Sequence, residues 1–296
     1  DGNPADYSPE NVPYRPQHHL KIATTPLAEG DLVMVAGYPG RTQLLRTLAE
    51  AEQTVSWLYP RRVKMAEEYL AMLKEVGDRD GDVAVRATPF VRRFGNGLTN
   101  TKGQLEGLIQ GGLLAEKKAD EDQLRAFIAK TPQNKLKFGT AIDDIKKAVD
   151  ENAKYREADA SLRGEILMPK LMSAANTIVR MAEELPKNDS DRDPEFQERK
   201  WPDLKNAMET IDKQYHVDLD KALLRLALER ALRAPEAERT KAVEIICGPN
   251  PTKQSIAKAV DELYGTSSFH VTANRIEYLM KASPAVFKKL NDPIIN

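Results

Sequence analysis

From Arg41 to the C-terminus the apolar residues recur every three or four positions, a period that limits most of this chain to helices packing on one another. Leu44, Leu48, Val55 and Leu58 begin the series. Pro60 interrupts it where it suits the first turn of a second helix, which carries Val63, Ala66, Leu70 and Leu73. Phe138, Ile142, Ile145 and Val149 form a third stripe, and Leu171, Ala174, Ile178, Met181 and Leu185 a fourth, each wide enough to cover one face of a core. The spacing predicts further helices over 113–129, 202–214, 218–233, 235–246, 252–264 and 272–281. Asp120 to Gln123 has the form of a capping box, and Gly111-Gly112 that of a stop and turn. No fixed-period repeat is visible, which disfavours a solenoid, and the polar stretch from Pro186 to Pro194 reads as a loop.

The first forty residues have another character. Pro4, Pro9, Pro13, Pro16 and Pro26 space an extended segment, and Asp31 through Ala36 reads as a buried strand. It ends in Gly37-Tyr38-Pro39-Gly40, where Pro39 presets φ and Gly40 supplies the positive φ of a type II turn. The expectation is a short β segment over 1–42 and a mainly α, multi-helix domain over 43–296.

Composition narrows the classes of function. A chain of 296 residues can bury one large core or two smaller ones. Charged residues make up 30% but nearly cancel to a net of -1, so no field suited to a polyanion arises and nucleic acid is disfavoured as a partner. No apolar run approaches the roughly 20 residues of a membrane-spanning helix. The start, Asp1-Gly2-Asn3-Pro4, has neither an initiator Met nor an apolar leader core and reads as a cut or processed end. Cys247 is the single cysteine, which rules out an internal disulfide and a multi-thiolate metal site. Its setting, Ile245-Ile246-Cys247-Gly248-Pro249, reads as a small buried side chain at a helix end rather than a reactive thiol.

The familiar catalytic signatures fail one by one. His18 and His19 lie in the extended part and His216 and His270 far along the helical part, none in an HExxH context, so no metal ligand set is expected. Asp189, Asp191 and Asp193 have the one-three-five spacing of a calcium loop, but Pro194 occupies the glycine position and Lys200 that of the bidentate Glu. Gly95-Asn96-Gly97 opens like a dinucleotide fingerprint, yet Asn100 stands where the third Gly belongs and no strand precedes it. Asp143-Asp144 is followed by Ile145-Lys146-Lys147 and lacks a third acid. A nucleophilic Ser needs a strained, Gly-flanked turn with a His in reach. Ser56, Ser173 and Ser255 fall in helical stripes, Ser161 and Ser283 look like caps, and Ser267-Ser268 have no Gly after them. No complete active site is legible, and no cofactor is expected.

One stretch does point to a family. Asp1-Gly2-Asn3-Pro4-Ala5-Asp6-Tyr7, Val12-Pro13-Tyr14, Leu20-Lys21-Ile22 and Gly30 through Thr42 closely resemble the bacterial dipeptidyl-peptidase 7 and 11 family, and the likeness extends to Trp57–Arg62 and Phe94–Gly107. The resemblance implies a chymotrypsin-like double β-barrel with a large helical insertion, of which 1–42 would supply edge strands and 43–296 the helical cap. It implies a serine peptidase that removes dipeptides from free N-termini, periplasmic or secreted and homodimeric, with peptides as substrates. It also places the catalytic triad outside this chain, so that the piece alone is expected to be inactive. The residue matching the family's helical-domain substrate contact is Asn96. An Asn carbonyl oxygen accepts from an ammonium, and Gly95 and Gly97 would let the backbone present it in an irregular conformation. The same three residues also fit a helix N-cap. Read from stripes and composition alone, the chain fits equally well a stand-alone helical binding or scaffolding domain.

Overall fold

The computed structural model describes residues 8–34, 37, 43 and 45–295, and of Leu290 the backbone only. The chain divides into two units, Asp1–Leu44 and Leu45–Asn296. In the first, residues 8–34 form neither helix nor strand. Val12, Leu20, Ile22, Leu32 and Met34 are all exposed there, between 85% and 93%. Of the strand expected over 31–36, residues 31–34 are irregular, because a strand exists only by pairing and no described segment offers them a ladder. Its last two residues and the Pro39-Gly40 turn lie outside the described residues.

The second unit is built from α-helices, most joined by short turns, with longer connections over 185–200 and 233–241. They run α1 Leu48–Gln53, α2 Tyr59–Arg79, α3 Gly81–Gln110, α4 Leu113–Ala129, α5 Pro132–Phe138, α6 Ala141–Asn152 and α7 Arg156–Ser161. They continue as α8 Lys170–Glu184, α9 Trp201–Thr210, α10 Val217–Leu232, α11 Ala242–Cys247, α12 Lys253–Thr266, α13 Thr272–Met280 and α14 Pro284–Leu290. Thr47 and Glu50 cap α1 reciprocally, as Thr252 and Ser255 cap α12. The box expected at Asp120–Gln123 instead lies inside α4, whose start is set by Gly112 at φ 70.

Pro60 does not break the first helix. A π turn over Thr54–Leu58 joins α1 directly to α2, with the Tyr59 N–H bonded to the Thr54 carbonyl, so the wider turn falls just before the proline that has no N–H to give. A second π turn, Leu162–Ile166, follows α7 and turns two successive residues inward, Glu165 and Ile166, each 1% exposed. The stripe from Phe138 to Val149 is split by Gly139, and only Ile142 is buried; Phe138 and Ile145 stay 41% and 39% exposed. The helix expected over 235–246 is a short 3-10 turn, Glu236–Glu238, and then α11. Between them Arg239 turns extended and donates to the Leu232 and Ala234 carbonyls at the end of α10.

α10 is the centre of the unit. Leu219 and Leu223 pack against Ala66, Tyr69 and Leu73 of α2 and Val83, Ala87, Phe90 and Phe94 of α3. Leu224, Ala227, Leu228 and Ala231 face a larger core with Leu171, Ile178 and Met181 of α8, Ile256 and Val260 of α12, and Leu279 of α13. A helix apolar on both sides has to be covered on both. Asp220, on the same helix and 2% exposed, closes the start of α8, where Pro169 has no capping side chain. Its carboxylate accepts from the Lys170 and Leu171 N–H groups at 2.6 and 3.0 Å and from the Tyr264 hydroxyl at 2.9 Å. Burial pushes the Asp220 pKa up, and these three donors oppose that rise. Replacing Asp220 by Ala strands all three donors and is expected to destabilise the unit by about 3 kcal/mol in urea unfolding. Asp203→Ala, which removes only the exposed pair with Lys200, is expected to cost about 1 kcal/mol or less.

Candidate functional site

α3 is the longest helix, at 30 residues, and carries Asn96 near its middle. Asn96 is therefore neither in an irregular segment nor at an N-cap; the cap of α3 is Asp80, which accepts from the Asp82 N–H at 2.8 Å. Two glycines weaken a helix, but the packing of α3 against α2 and α10 outweighs a cost of about 1 kcal/mol each. The Asn96 side chain is exposed. A Cβ added at Gly95 or Gly97 would meet nothing within 4 Å, so the helix surface on either side is open. One and two turns further on, the Gln104 amide donates to Asn100 Oδ1 at 2.7 Å and accepts from the Tyr59 hydroxyl at 2.5 Å. Asn96, Asn100 and Gln104 thus form a polar row at four-residue spacing on α3, its far end tied to α2.

Between α2 and α3 lies a groove of about 670 Å³, lined by Pro60, Val63, Lys64, Leu105 and Ile109 among others, and bridged by the Lys102–Glu67 ion pair at 2.6 Å. Asn96 does not line it. Within the helical unit, the described His and Ser side chains considered from sequence form no hydrogen bond with one another; the Ser267 and Ser268 hydroxyls donate to Asp292 instead. His216 caps α10 through Nδ1, and His270 Nδ1 lies 3.0 Å from the Ser267 carbonyl. Ser161 is not a cap but is buried at the end of α7, within 3.3 Å of Glu157. Asp189 and Asp193 are held by Arg192 and Arg180. Among the described residues no cluster of His, Cys, Asp or Glu could hold a metal. Cys247 is half-buried, and burial raises its thiol pKa, which works against thiolate chemistry.

A polar centre that sequence reasoning missed sits where α2, α7, the second π turn and α10 meet. Glu165, 1% exposed, takes Arg61 on one carboxylate oxygen at 2.7 Å and Arg230 on the other at 2.6 Å. Arg61 also pairs with Glu157 at 2.9 Å, and Trp57 donates its indole N–H to the same carboxylate at 3.2 Å. Arg230 and Arg233 converge on Glu68 at 2.7 and 2.5 Å. Three arginines meet three glutamates, so the charges of the network balance from buried Glu165 out to half-exposed Arg233. A pocket of about 290 Å³ lined by Trp57, Arg61, Lys64, Arg230 and Arg233 opens onto them. Burial pushes the Glu68 carboxyl up, but Arg230 and Arg233 together hold it below its ordinary value. Arg230 is kept charged by Glu165 and Glu68 against the opposing effect of burial. Every guanidinium here is engaged, so the centre holds helices in register rather than moving protons.

Because Glu68 titrates lower in the folded than in the unfolded chain, it adds stability that is fully present above about pH 5 and is lost as pH falls through its lowered value. Urea midpoints measured against pH should therefore put wild type ahead of Glu68→Gln at neutral pH, with the gap closing as pH falls below the ordinary carboxylate range.

The model of the peptidase S46 family matches residues 1–296. An Asp/Glu-specific dipeptidyl-peptidase of Shewanella putrefaciens is 28% identical over 299 residues, covering 100% of this chain and 39% of that protein. An Asp/Glu-specific dipeptidyl-peptidase of Capnocytophaga gingivalis is 27% identical over 97% of this chain and 38% of its own length. Dipeptidyl-peptidase 7 of the same organism is 29% identical over 49% of this chain and 20% of its own. The chain thus spans about two fifths of the first two relatives. With a match running its whole length, this chain belongs to the peptidase S46 family.

Proposed function

We propose that residues 43–296 are the helical cap of a serine dipeptidyl-peptidase, and that Asn96 on α3 accepts a hydrogen bond from the free α-ammonium of the substrate. The observation that carries this reading is the placement of Asn96: exposed, with open helix surface at Gly95 and Gly97, on a helix braced by α2 and α10. A contact residue has to be reachable and held still, and this position offers both. The dipeptidyl-peptidase names of the relatives support the reaction class.

Fixing the ammonium fixes the register. With the amine clamped, the second peptide bond is the one delivered to the nucleophile, and a two-residue product follows. The serine, its histidine and aspartate, and the backbone donors to the oxyanion lie in this reading outside the chain, in the remainder of a chymotrypsin-like barrel, so residues 1–296 alone release no dipeptide. The exposed apolar side chains of 8–34, a segment without a strand partner among the described residues, support its assignment to that barrel. The parent enzyme is taken to act as a homodimer in the periplasm or outside the cell. Among the described residues no helix is long and apolar enough to cross a membrane.

A hydrogen bond to a charged group contributes about 1.5–3 kcal/mol. In a peptidase chain that also carries the serine, Asn96→Ala is expected to raise KM for dipeptidyl substrates with a free amine about 10- to 100-fold. Hydrolysis of N-acetylated analogues should not change. An unaltered KM for the free amines would remove Asn96 from the substrate site.

A further inference from the structure

The anchors of α3 nearest to Asn96 run through α2. Phe94, two residues before it, stacks on Tyr69 with ring centroids 4.9 Å apart and planes 13° from parallel. Tyr69 itself is wholly buried, and its hydroxyl has no formed hydrogen bond. It lies within the field of the Glu165 carboxylate, which adds to burial in raising the phenol pKa well above the usual. Glu68, the residue before Tyr69, is the one that Arg230 and Arg233 grip. The backbone that carries Tyr69 is therefore held by the same charge network that Glu165 centres.

We infer that Glu165 is a positioning residue for substrate binding: by joining Arg61 of α2 to Arg230 of α10 it sets where α2, and through the Tyr69–Phe94 stack α3, presents Asn96. The inference rests on the reading of Asn96 given above. Glu165 is the member to single out because each of its oxygens serves a different helix, at 2.7 and 2.6 Å, from a π turn that aims it inward. Without its charge, Arg61 and Arg230 lose the carboxylate held between them, Arg61 keeps only Glu157 as an ion partner, and the ion pairs between α2 and α10 are left to Glu68 alone at the outer end of the network. α2 then shifts, and the Tyr69–Phe94 pair carries the shift towards Asn96.

The test is a double-mutant cycle in the whole peptidase, with KM and kcat measured on a free-amine dipeptidyl substrate and Tm recorded for each variant. Glu165→Gln keeps the shape and removes the charge; it is expected to raise KM about fivefold and leave kcat within about twofold. Combined with Asn96→Ala, it should add nothing further to KM, because Glu165 acts only through that residue. Should Glu165→Gln fail to fold, Glu68→Gln, at the more exposed end of the network, is expected to raise KM about twofold with the same lack of additivity. A fall in Tm with KM unchanged, or KM effects that multiply in the double variant, would overturn the inference and leave Asn96 in place. An Asn96→Ala enzyme with wild-type KM would overturn both.

Discussion

One carboxylate shut away from water between two guanidinium groups governs how the α2–α3 hairpin meets the rest of the helical unit. Glu165 bridges Arg61 and Arg230, and at 1% exposure it has no solvent to fall back on. Such a centre is weak evidence for net stability, since the desolvation of the ions offsets much of their attraction. Its effect is directional. Hydrophobic contact between Leu219 and Leu223 of α10 and the faces of α2 and α3 would tolerate a range of rotations, because burial rewards area whatever the angle. The paired hydrogen bonds of guanidinium and carboxylate tolerate far fewer.

The two cores and the two polar centres divide the work along α10. Its apolar sides draw the hairpin and the C-terminal helices onto one rod, while Glu165 and Asp220 fix the angle and the height at which each arrives. Asp220 does for α8 what a local cap would have done, and it is needed because Pro169 brings no acceptor to that end. With both sides anchored, α3 becomes a stiff outer helix. An amide on its exposed face, such as that of Asn96, then keeps a defined place.

Much of this helical frame is legible in the sequence, and what is not has physical reasons. The stretch predicted over 113–129 is α4, and Gly112 supplies the left-handed turn before it, since both depend on local chemistry alone. The stripe from Leu171 to Met181 is buried as its period requires. α3 escapes notice because Pro89, Gly95, Gly97, Gly103 and Gly107 read as breakers, and only its packing on α2 and α10 makes it a helix. The π turns escape for the opposite reason: they leave the local pattern helical and merely rotate it. Glu165 lies 104 and 65 positions from the arginines it joins, so no window along the chain contains the network. Asn96 was reachable only through family resemblance, and its neighbours misled about its backbone, which is plain helix. The segment 31–34 carries a strand's pattern without a strand's partner, and pattern alone cannot supply hydrogen bonds.

The central claim is that α3 of an S46 peptidase holds Asn96 against the substrate's free amine. The measurement that meets it most directly is a crystal structure of the whole peptidase, its serine replaced by Ala, with a free-amine peptide bound. The account predicts the Asn96 carbonyl oxygen about 2.7–3.2 Å from the peptide nitrogen, with α3 helical through Gly95 and Gly97 as it is here. A bound peptide whose amine is satisfied elsewhere, with Asn96 still facing solvent, would contradict it.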